Sequence, residues 1–365
     1  MVAWVGHAYI WTAVLNHVYG RPFSKRLLRP LRLFTGVVIA GFVVLFPIGT
    51  DDFMCGYVAA CGVVGAAVFP AVTAYRCFRP RAAELLAETT HTLDVRAEVG
   101  DAVIGDGKWR RLATLPLNDI FRVELTDWTL AVPDLPPALD GLTVLLLSDL
   151  HFHGTPSRAF FERVFGEIES RWPAPDLVCL AGDYVDTDEH HAWIGPLLGR
   201  FRGREGNYAI LGNHDDHHHP ERIRAALADA GYVVVGNEWR EVVVRGERTV
   251  LVGHEGPWFT PPPDLSAAPP GLFRWCISHT PDNIPWGRRN GVRLMLCGHV
   301  HGGQIRLPVV GSIFVPSVYG RRFDMGVFGG GGLVAAVGRG LSGKEPLRFR
   351  CRPQAVRLTL TPRRG

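Results

Sequence analysis

The run "LTVLLLSD", residues 142–149, decides how the rest of the chain is read. Six apolar or β-branched residues in a row, closed by Ser148 and Asp149, give the pattern of a short strand buried on both faces. A helix-length segment follows at 157–171, then a second apolar run, "DLVCLAGD" (176–183). Helix-like 190–201, the run "NYAILGNHD" (207–215) and helix-like 220–230 continue the alternation. That rhythm predicts βαβ units and a largely parallel sheet. Further on, "REVVVRGERTVLVGHE" (240–255) reads as a hairpin turning near Gly246. "FRWCISHTPD" (273–282) and "RLMLCGHVHGG" (293–303) are two more strand-like runs, and Pro-rich 256–271 is a loop.

Working back toward the N-terminus, "FRVELTDWTLAV" (121–132) alternates as a strand, and "AELLAETTHTLDV" (83–95) is expected as a short amphipathic helix. Two uncharged stretches precede them, 33–49 and 53–75. A bilayer crossing needs about 20 apolar residues, so the second is long enough and the first sits near the lower limit. A helical hairpin is expected, with Gly36/Ala40 and Gly62/Ala66 as small residues for close helix approach. Segment 4–19 is uncharged but broken by His7, Asn16 and His17, and reads as either a third span or an interfacial helix. Arg21, Lys25, Arg26, Arg29 and Arg32 precede the hairpin, and Arg76, Arg79 and Arg81 follow it. Only Asp51 and Asp52 lie in its turn. Basic flanks place both ends, and the C-terminal bulk, in the cytoplasm. The expected divisions are an anchor region at 1–80, a linker and leading strand at 81–140, and a catalytic domain at 141–362. A net charge of +4 without a basic stripe gives no indication of nucleic acid. Seven cysteines show neither a disulfide framework nor a CxxC metal site.

The apolar runs share one property. They end in Asp149 and His151, in Asp183, in Asn213 and His214, in His279, and in His299 and His301. Ligands of open α/β sheets bind beyond the carboxyl ends of strands. A single such Asp or His is ordinarily a cap or a packed side chain, but five successive strand ends are not explained that way. Oxygen and imidazole donors without thiolate suit divalent Mn, Fe, Zn, Co or Ni. Some seven donors exceed one tetrahedral site and fit a pair of ions, the usual arrangement for displacement at phosphorus.

The motifs "SDLHFHG", "GDYVD", "GNHDD", "SHTPD" and "GHVHGGQ", in that order, resemble those of the calcineurin-like metallophosphoesterases. The tail "PSVYGRR" through "GRGLSGKEPLRFRCRP" resembles a membrane-anchored bacterial branch of that family. The resemblance covers about 141–362. It implies a four-layer αββα sandwich preceded here by a transmembrane hairpin. It implies Asp149, His151 and His301 on one metal, Asn213, His279 and His299 on the other, and Asp183 bridging. His214 would be the catalytic histidine, oriented by Asp215. Two divalent ions, Mn foremost, would support hydrolysis of a phosphate ester or pyrophosphate, with a lipid-linked substrate favoured by the anchor. A phosphomonoesterase for soluble or protein substrates and a catalytically inactive metal-binding membrane scaffold stand as alternatives. The sequence "VGHEG" (252–256) departs from the family pattern, and His254 and Glu255 are expected to form a packed turn. Residues 216–219, ahead of Pro220, are expected to be the solvated entry to a helix.

Overall fold

A computed structural model of the protein describes residues 1–45 and 51–363. The expected span 33–49 therefore ends, at 46–49, outside the described residues. The chain divides into two compact units: Met1–Arg81 with Arg306–Arg322, and Ala82–Ile305 with the chain from Phe323 onward.

The larger unit is built on two sheets. In chain order the strands are β1 Leu85–Asp94, β2 Arg122–Val132, β3 Thr143–Leu147, β4 Leu177–Leu180, β5 Gly206–Ala209, β6 Val233–Val234, β7 Trp239–Val244, β8 Glu247–His254, β9 Phe273–Ser278 and β10 Leu294–Cys297. The short pair β11 Arg306–Leu307 and β12 Gly311–Ser312 belongs to the smaller unit. β13 Gly326–Phe328, β14 Val334–Val337 and β15 Gln354–Pro362 complete the series. One sheet has the order β1-β2-β15-β3-β4-β5-β6 and the other β13-β14-β10-β9-β8-β7. Within each, a parallel block carries the motifs: β3 to β6 in the first, β8, β9, β10 and β14 in the second.

The run that opened the reading is β3, and its residues Val144–Leu147 are all buried. Its alternate side chains serve two cores. Val144 and Leu146 join Trp128, Cys179, Trp275, Ile277, Leu296 and Leu358 in a cluster drawn from both sheets, so the sheets pack face to face. Leu145 and Leu147 point to the other face, among Phe160, Phe161, Val164, Phe165 and Ile168. Those five form the buried side of a helix, Arg158–Arg171, capped by Ser157, whose hydroxyl accepts from the Phe160 N–H. Each large apolar side chain buried this way contributes about 1.5–3 kcal/mol. The layers are those of the αββα sandwich. The parallel pairing suggested by the strand rhythm is found within both sheets, each of which also contains antiparallel pairs.

Two local expectations change. Residues 83–95 carry β1, not a helix, paired antiparallel with β2 from Leu85↔Leu130 to Asp94↔Arg122. Threonines at 89, 90 and 92 favour an extended edge over a helix. Helix-like 190–201 is a 3-10 stretch, Asp188–Trp193, followed by a short helix, Ile194–Leu198. The helix at 220–230 is present as Pro220–Asp229, with Ile223 and Leu227 buried.

The smaller unit contains helices α1 Val2–Tyr19 and α2 Lys25–Leu45, and a continuous helical run Asp52–Phe78 with a π-turn at Val64–Val68. Among the described residues, Asp52–Phe78 is the one helix long and apolar enough to cross a membrane. Gly36 and Gly62 face open space, so the close approach lies elsewhere than expected. It is between α1 and the long helix. A Cβ on Gly6 would stand 1.9 Å from the Cys61 carbonyl oxygen, and one on Gly65 would stand 2.1 Å from that of Val2. The polar residues that interrupt 4–19 are used inside this unit. His7 Nδ1 lies 2.7 Å from the Tyr57 hydroxyl, and Asn16 Oδ1 accepts from the Val315 N–H at 3.0 Å.

Candidate metal centre

The carboxyl ends of the parallel strands turn sharply, and the turns aim side chains inward. Asp149, His151, Asp183, His299 and His301 all have left-handed backbone, with φ between 46° and 70°. Non-glycine residues avoid that region, and its concentration here is the kind of local strain found at functional sites. Backbone bonds hold the geometry. The N–H groups of Asp149 and His151 donate to the carbonyls of Gly182 and Asp183, and the His299 N–H donates to the Asp149 carboxylate. Gly212 is required by crowding, because a Cβ there would lie 2.2 Å from Asp183 Oδ1 and 2.5 Å from the His279 ring.

Three overlapping donor groups result; His151, Asp186 and His214 form one, and the two others share a carboxylate. Asp149, His151, Asp183 and His301 converge in the first of these two, and Asp183, His279 and His299 in the second, so Asp183 belongs to both. Asn213 Oδ1 lies 2.9 Å from His279 Nε2, which adds an amide oxygen to the second group. His279 Nδ1 donates to the Ala181 carbonyl at 2.7 Å, and His151 Nδ1 to Asp186 at 3.0 Å. In each ring the remaining nitrogen, Nε2, faces the cluster. His151 Nε2 stands 3.3 Å from His301 Nε2 and 3.6 Å from Asp183 Oδ2. His279 Nε2 stands 3.5 Å from Asp183 Oδ1. Carboxylate oxygens, an amide oxygen and imidazole nitrogens gathered this closely in a buried site form a donor set for divalent metal ions, so the residues fit metal ions. The outer partners match the usual support of metal-binding imidazoles.

Protonation follows from the same contacts. Burial alone would depress His151, but Asp186, with Asp183 and Asp149, pushes it up to about 9. Burial likewise works against a charge on His279, and Asp183 raises it to about 9. His301 goes the other way. Burial and the adjacent Arg348 guanidinium hold it well below its usual range, leaving a neutral imidazole. Arg348 is itself fully buried and donates to the carbonyls of His301, Arg339 and Ser342.

His214 lies beside the first group, its ring edge-on to His151 with centroids 4.6 Å apart. Its Nδ1 is bonded to Asp186, not to Asp215 as expected. The two oxygens of Asp215 accept backbone N–H bonds from Asp183, Tyr184 and Gly212, each at 2.8 Å. Asp215 thus shapes the turns, and Asp186 joins a metal-facing histidine to His214. Burial opposes ionisation of Asp186, but His214 and His151 outweigh it and hold the carboxyl well below the usual range. Asp186 is the second acid of "GDYVD", a signal present in the motif and not used by the sequence reading. Trp258, in the Pro-rich loop, was also missed. Its ring covers His299 at 4.6 Å and His279 at 5.5 Å.

His254 and Glu255 are packed. Glu255 is 1% exposed and paired with Arg224, and it accepts from the Leu211 N–H. His254 lies edge-on to Trp286 and accepts from the Gly256 N–H. Asp216, His217 and His219 are exposed, and His219, at φ 54°, precedes Pro220 at the helix start.

A two-sheet sandwich with a shared carboxylate between imidazole-rich donor groups defines a metal-dependent phosphoester hydrolase, and the chain belongs to the calcineurin-like metallophosphoesterases. The family model for calcineurin-like phosphoesterase matches residues 142–303. The metallophosphoesterase YkuE of Bacillus subtilis is 30% identical over 248 residues, covering 65% of this chain and 85% of YkuE. The phosphodiesterase YaeI of Escherichia coli is 32% identical over 226 residues, 60% of this chain and 81% of YaeI. The UDP-2,3-diacylglucosamine pyrophosphatase LpxG of Chlamydia trachomatis is 34% identical over 103 residues, 27% of this chain and 29% of LpxG.

Proposed function

We propose that the protein is a membrane-anchored phosphohydrolase that cleaves a phosphodiester or pyrophosphate bond in a lipid-linked substrate. Asp149, His151 and His301 hold one divalent ion, Asn213, His279 and His299 the other, and Asp183 both. The observation that carries this reading is the sharing of Asp183 between two buried donor groups with His214 alongside. The oxygen and imidazole donor set suits divalent Mn, Fe, Zn, Co or Ni, and Mn is the ion proposed. Bound there, two ions would acidify a water molecule and offset charge on phosphate oxygens.

The chain's own residues supply the rest. With Nδ1 on Asp186, His214 presents Nε2 as the proton donor to the leaving oxygen. Asp186 fixes the ring's tautomer and orientation. Trp258 walls the second donor group and narrows access to it. The helix Asp52–Phe78 supports the anchor, and Arg76, Arg79 and Arg81 at its C-terminal end support a cytoplasmic catalytic domain. The diacyl substrate in the LpxG name supports a lipid-linked substrate here.

The test uses full-length protein loaded with Mn²⁺ on matched alkyl phosphomonoesters, phosphodiesters and pyrophosphate diesters, with and without acyl chains. Faster turnover of acylated diesters or pyrophosphates is expected. Preference for the monoester would replace this reading with a phosphomonoesterase. Full metal content without hydrolysis of any member would leave the scaffold. A C-terminal reporter active only outside the cytoplasm should be silent, and a strong signal would reverse the orientation.

A further inference from the structure

Residues 306–322, "RLPVVGSIFVPSVYGRR", leave the metal-ligand loop a few positions after His301 and belong to the unit of apolar helices. They are fastened there by the last turns of two helices. At the end of α1, Asn16 accepts from the Val315 N–H, and His17 Nδ1 lies 3.1 Å from the Val318 carbonyl. The backbone also approaches closely at Gly20, where a Cβ would lie 2.4 Å from the Val318 nitrogen. At the end of the long helix, Arg76 donates to the Arg321 carbonyl and the Ser312 hydroxyl, and Cys77 lies 3.2 Å from the Val309 carbonyl.

The location has a physical meaning. Asp52–Phe78 has 27 residues, and at 1.5 Å per residue it is about 40 Å long, against a hydrocarbon core of about 30 Å. Its final turns extend into the headgroup layer. The charges of the unit are segregated to match. Its acidic residues are Asp51 and Asp52, at the start of that helix, whereas Arg76, Arg79, Arg81, Arg306, Arg321 and Arg322 gather at the other end. At that end the segment exposes Leu307, Val309, Ile313 and Tyr319, at 41, 76, 37 and 40%. Scattered exposed apolar residues are ordinary on a soluble surface. Here they coincide with exclusively basic charge and with the end of a spanning helix, the composition of an interfacial element.

We propose that residues 306–322 are a membrane-interface element. Leu307, Val309, Ile313 and Tyr319 enter the boundary between headgroups and acyl chains, and Arg306 and Arg322 engage the phosphates of anionic phospholipids. The inference rests on the reading of Asp52–Phe78 as a membrane span.

The test places a benzophenone amino acid singly at Val309, Ile313, Val63 and Glu162 of the full-length chain in vesicles of mixed anionic and zwitterionic phospholipid. Val63 lies on the long helix and is 63% exposed, and Glu162 lies on a surface helix of the catalytic unit. After irradiation, mass spectrometry should find lipid adducts at 63, 309 and 313 and none at 162. Anionic lipid should be enriched severalfold in the adducts at 309 and 313. The double substitution Arg306→Gln and Arg322→Gln should abolish that enrichment. Lipid adducts at 63 with only peptide adducts, or none, at 309 and 313 would overturn the inference and leave the anchor standing. Peptide adducts to a second chain would identify a protein interface instead. No lipid adduct at 63, 309 or 313 would overturn the anchor reading together with this one.

Discussion

Asp186→Asn tests the site's least expected contact. The carboxylate is 6% exposed and takes a ring N–H from each of two histidines, His151 at 3.0 Å and His214. An amide of the same size has one acceptor oxygen, so one ring must face its NH₂ group and lose the acceptor for its Nδ1–H. A hydrogen bond to a charged group is worth about 1.5–3 kcal/mol, and about 1.4 kcal/mol is a factor of ten. Loss at His151 should weaken metal binding about 10–100-fold, the usual cost of removing a ligand's outer partner. Loss at His214 should slow proton donation by a similar factor. Steady-state rates at saturating Mn²⁺ separate the two, using an alkyl diester with a basic leaving oxygen and a nitrophenyl ester that needs no proton. The alkyl diester should lose about 10–100-fold and the nitrophenyl ester much less. His214→Asn should show the same selectivity with normal metal content, and adding Asp186→Asn to it should change metal affinity alone. Equal losses on the two esters at saturating metal would refute the assignment of Asp186 as the residue that orients the acid. So would an undiminished further loss on the alkyl diester in the His214→Asn background.

Asp215→Asn should behave differently. It leaves a buried backbone N–H without an acceptor, at about 1–3 kcal/mol, so thermal denaturation should shift downward while the ratio of rates on the two esters stays unchanged. Elemental analysis of Mn²⁺-loaded protein should give close to two ions per chain, and Asp183→Asn should lose at least one. Full occupancy in that variant would remove Asp183 as the shared ligand. Proton release on metal loading supplies the pH test. His151 and His279 are raised to about 9, so both are charged below that pH before loading, and binding must displace their protons. Calorimetry at pH 7.5 in buffers of different ionisation enthalpy should detect release, with affinity rising toward pH 9 and then levelling. Binding without release would contradict those shifts.

The strand ends were legible because burial on both faces writes an uninterrupted apolar run, and because a donor residue closing each run is conspicuous against it. What the runs cannot write is how strands are distributed between sheets. β3, β4 and β5 look no different in sequence from β9 and β10, yet the first three lie in one sheet and the last two in the other. The Thr-rich strand β1 was misread for a related reason. It lies at a sheet edge with most residues exposed, so no apolar period marks it, and its pairing with β2 decides its form. The glycine pairs in the helices were misread because spacing alone does not say which face meets a neighbour. Gly6 and Gly65 are chosen by the packing of α1 on the long helix.

The exchange of roles between Asp186 and Asp215 shows the same limit inside the site. Asp215 follows His214 directly, and adjacency made it the natural partner. But His214 has right-handed helical backbone and Asp215 begins a 3-10 turn, which carries the carboxylate back over the amides of Asp183, Tyr184 and Gly212. Asp186 reaches His214 from another loop. A parallel bridge between Phe152 and Val185 lays the turn after β3 beside the turn after β4, and this sets Asp186 against His151. His214 then arrives from the turn after β5, held by its own N–H on Asp183 Oδ1 at 2.8 Å. Three turns, the first two of them in left-handed backbone at Asp149 and Asp183, therefore meet around two carboxylates. Asp183 ties the donor groups together, and Asp186 ties the donor groups to His214. A substitution at either carboxylate should consequently disturb more than one function, whereas one at Asp215 should disturb only the frame.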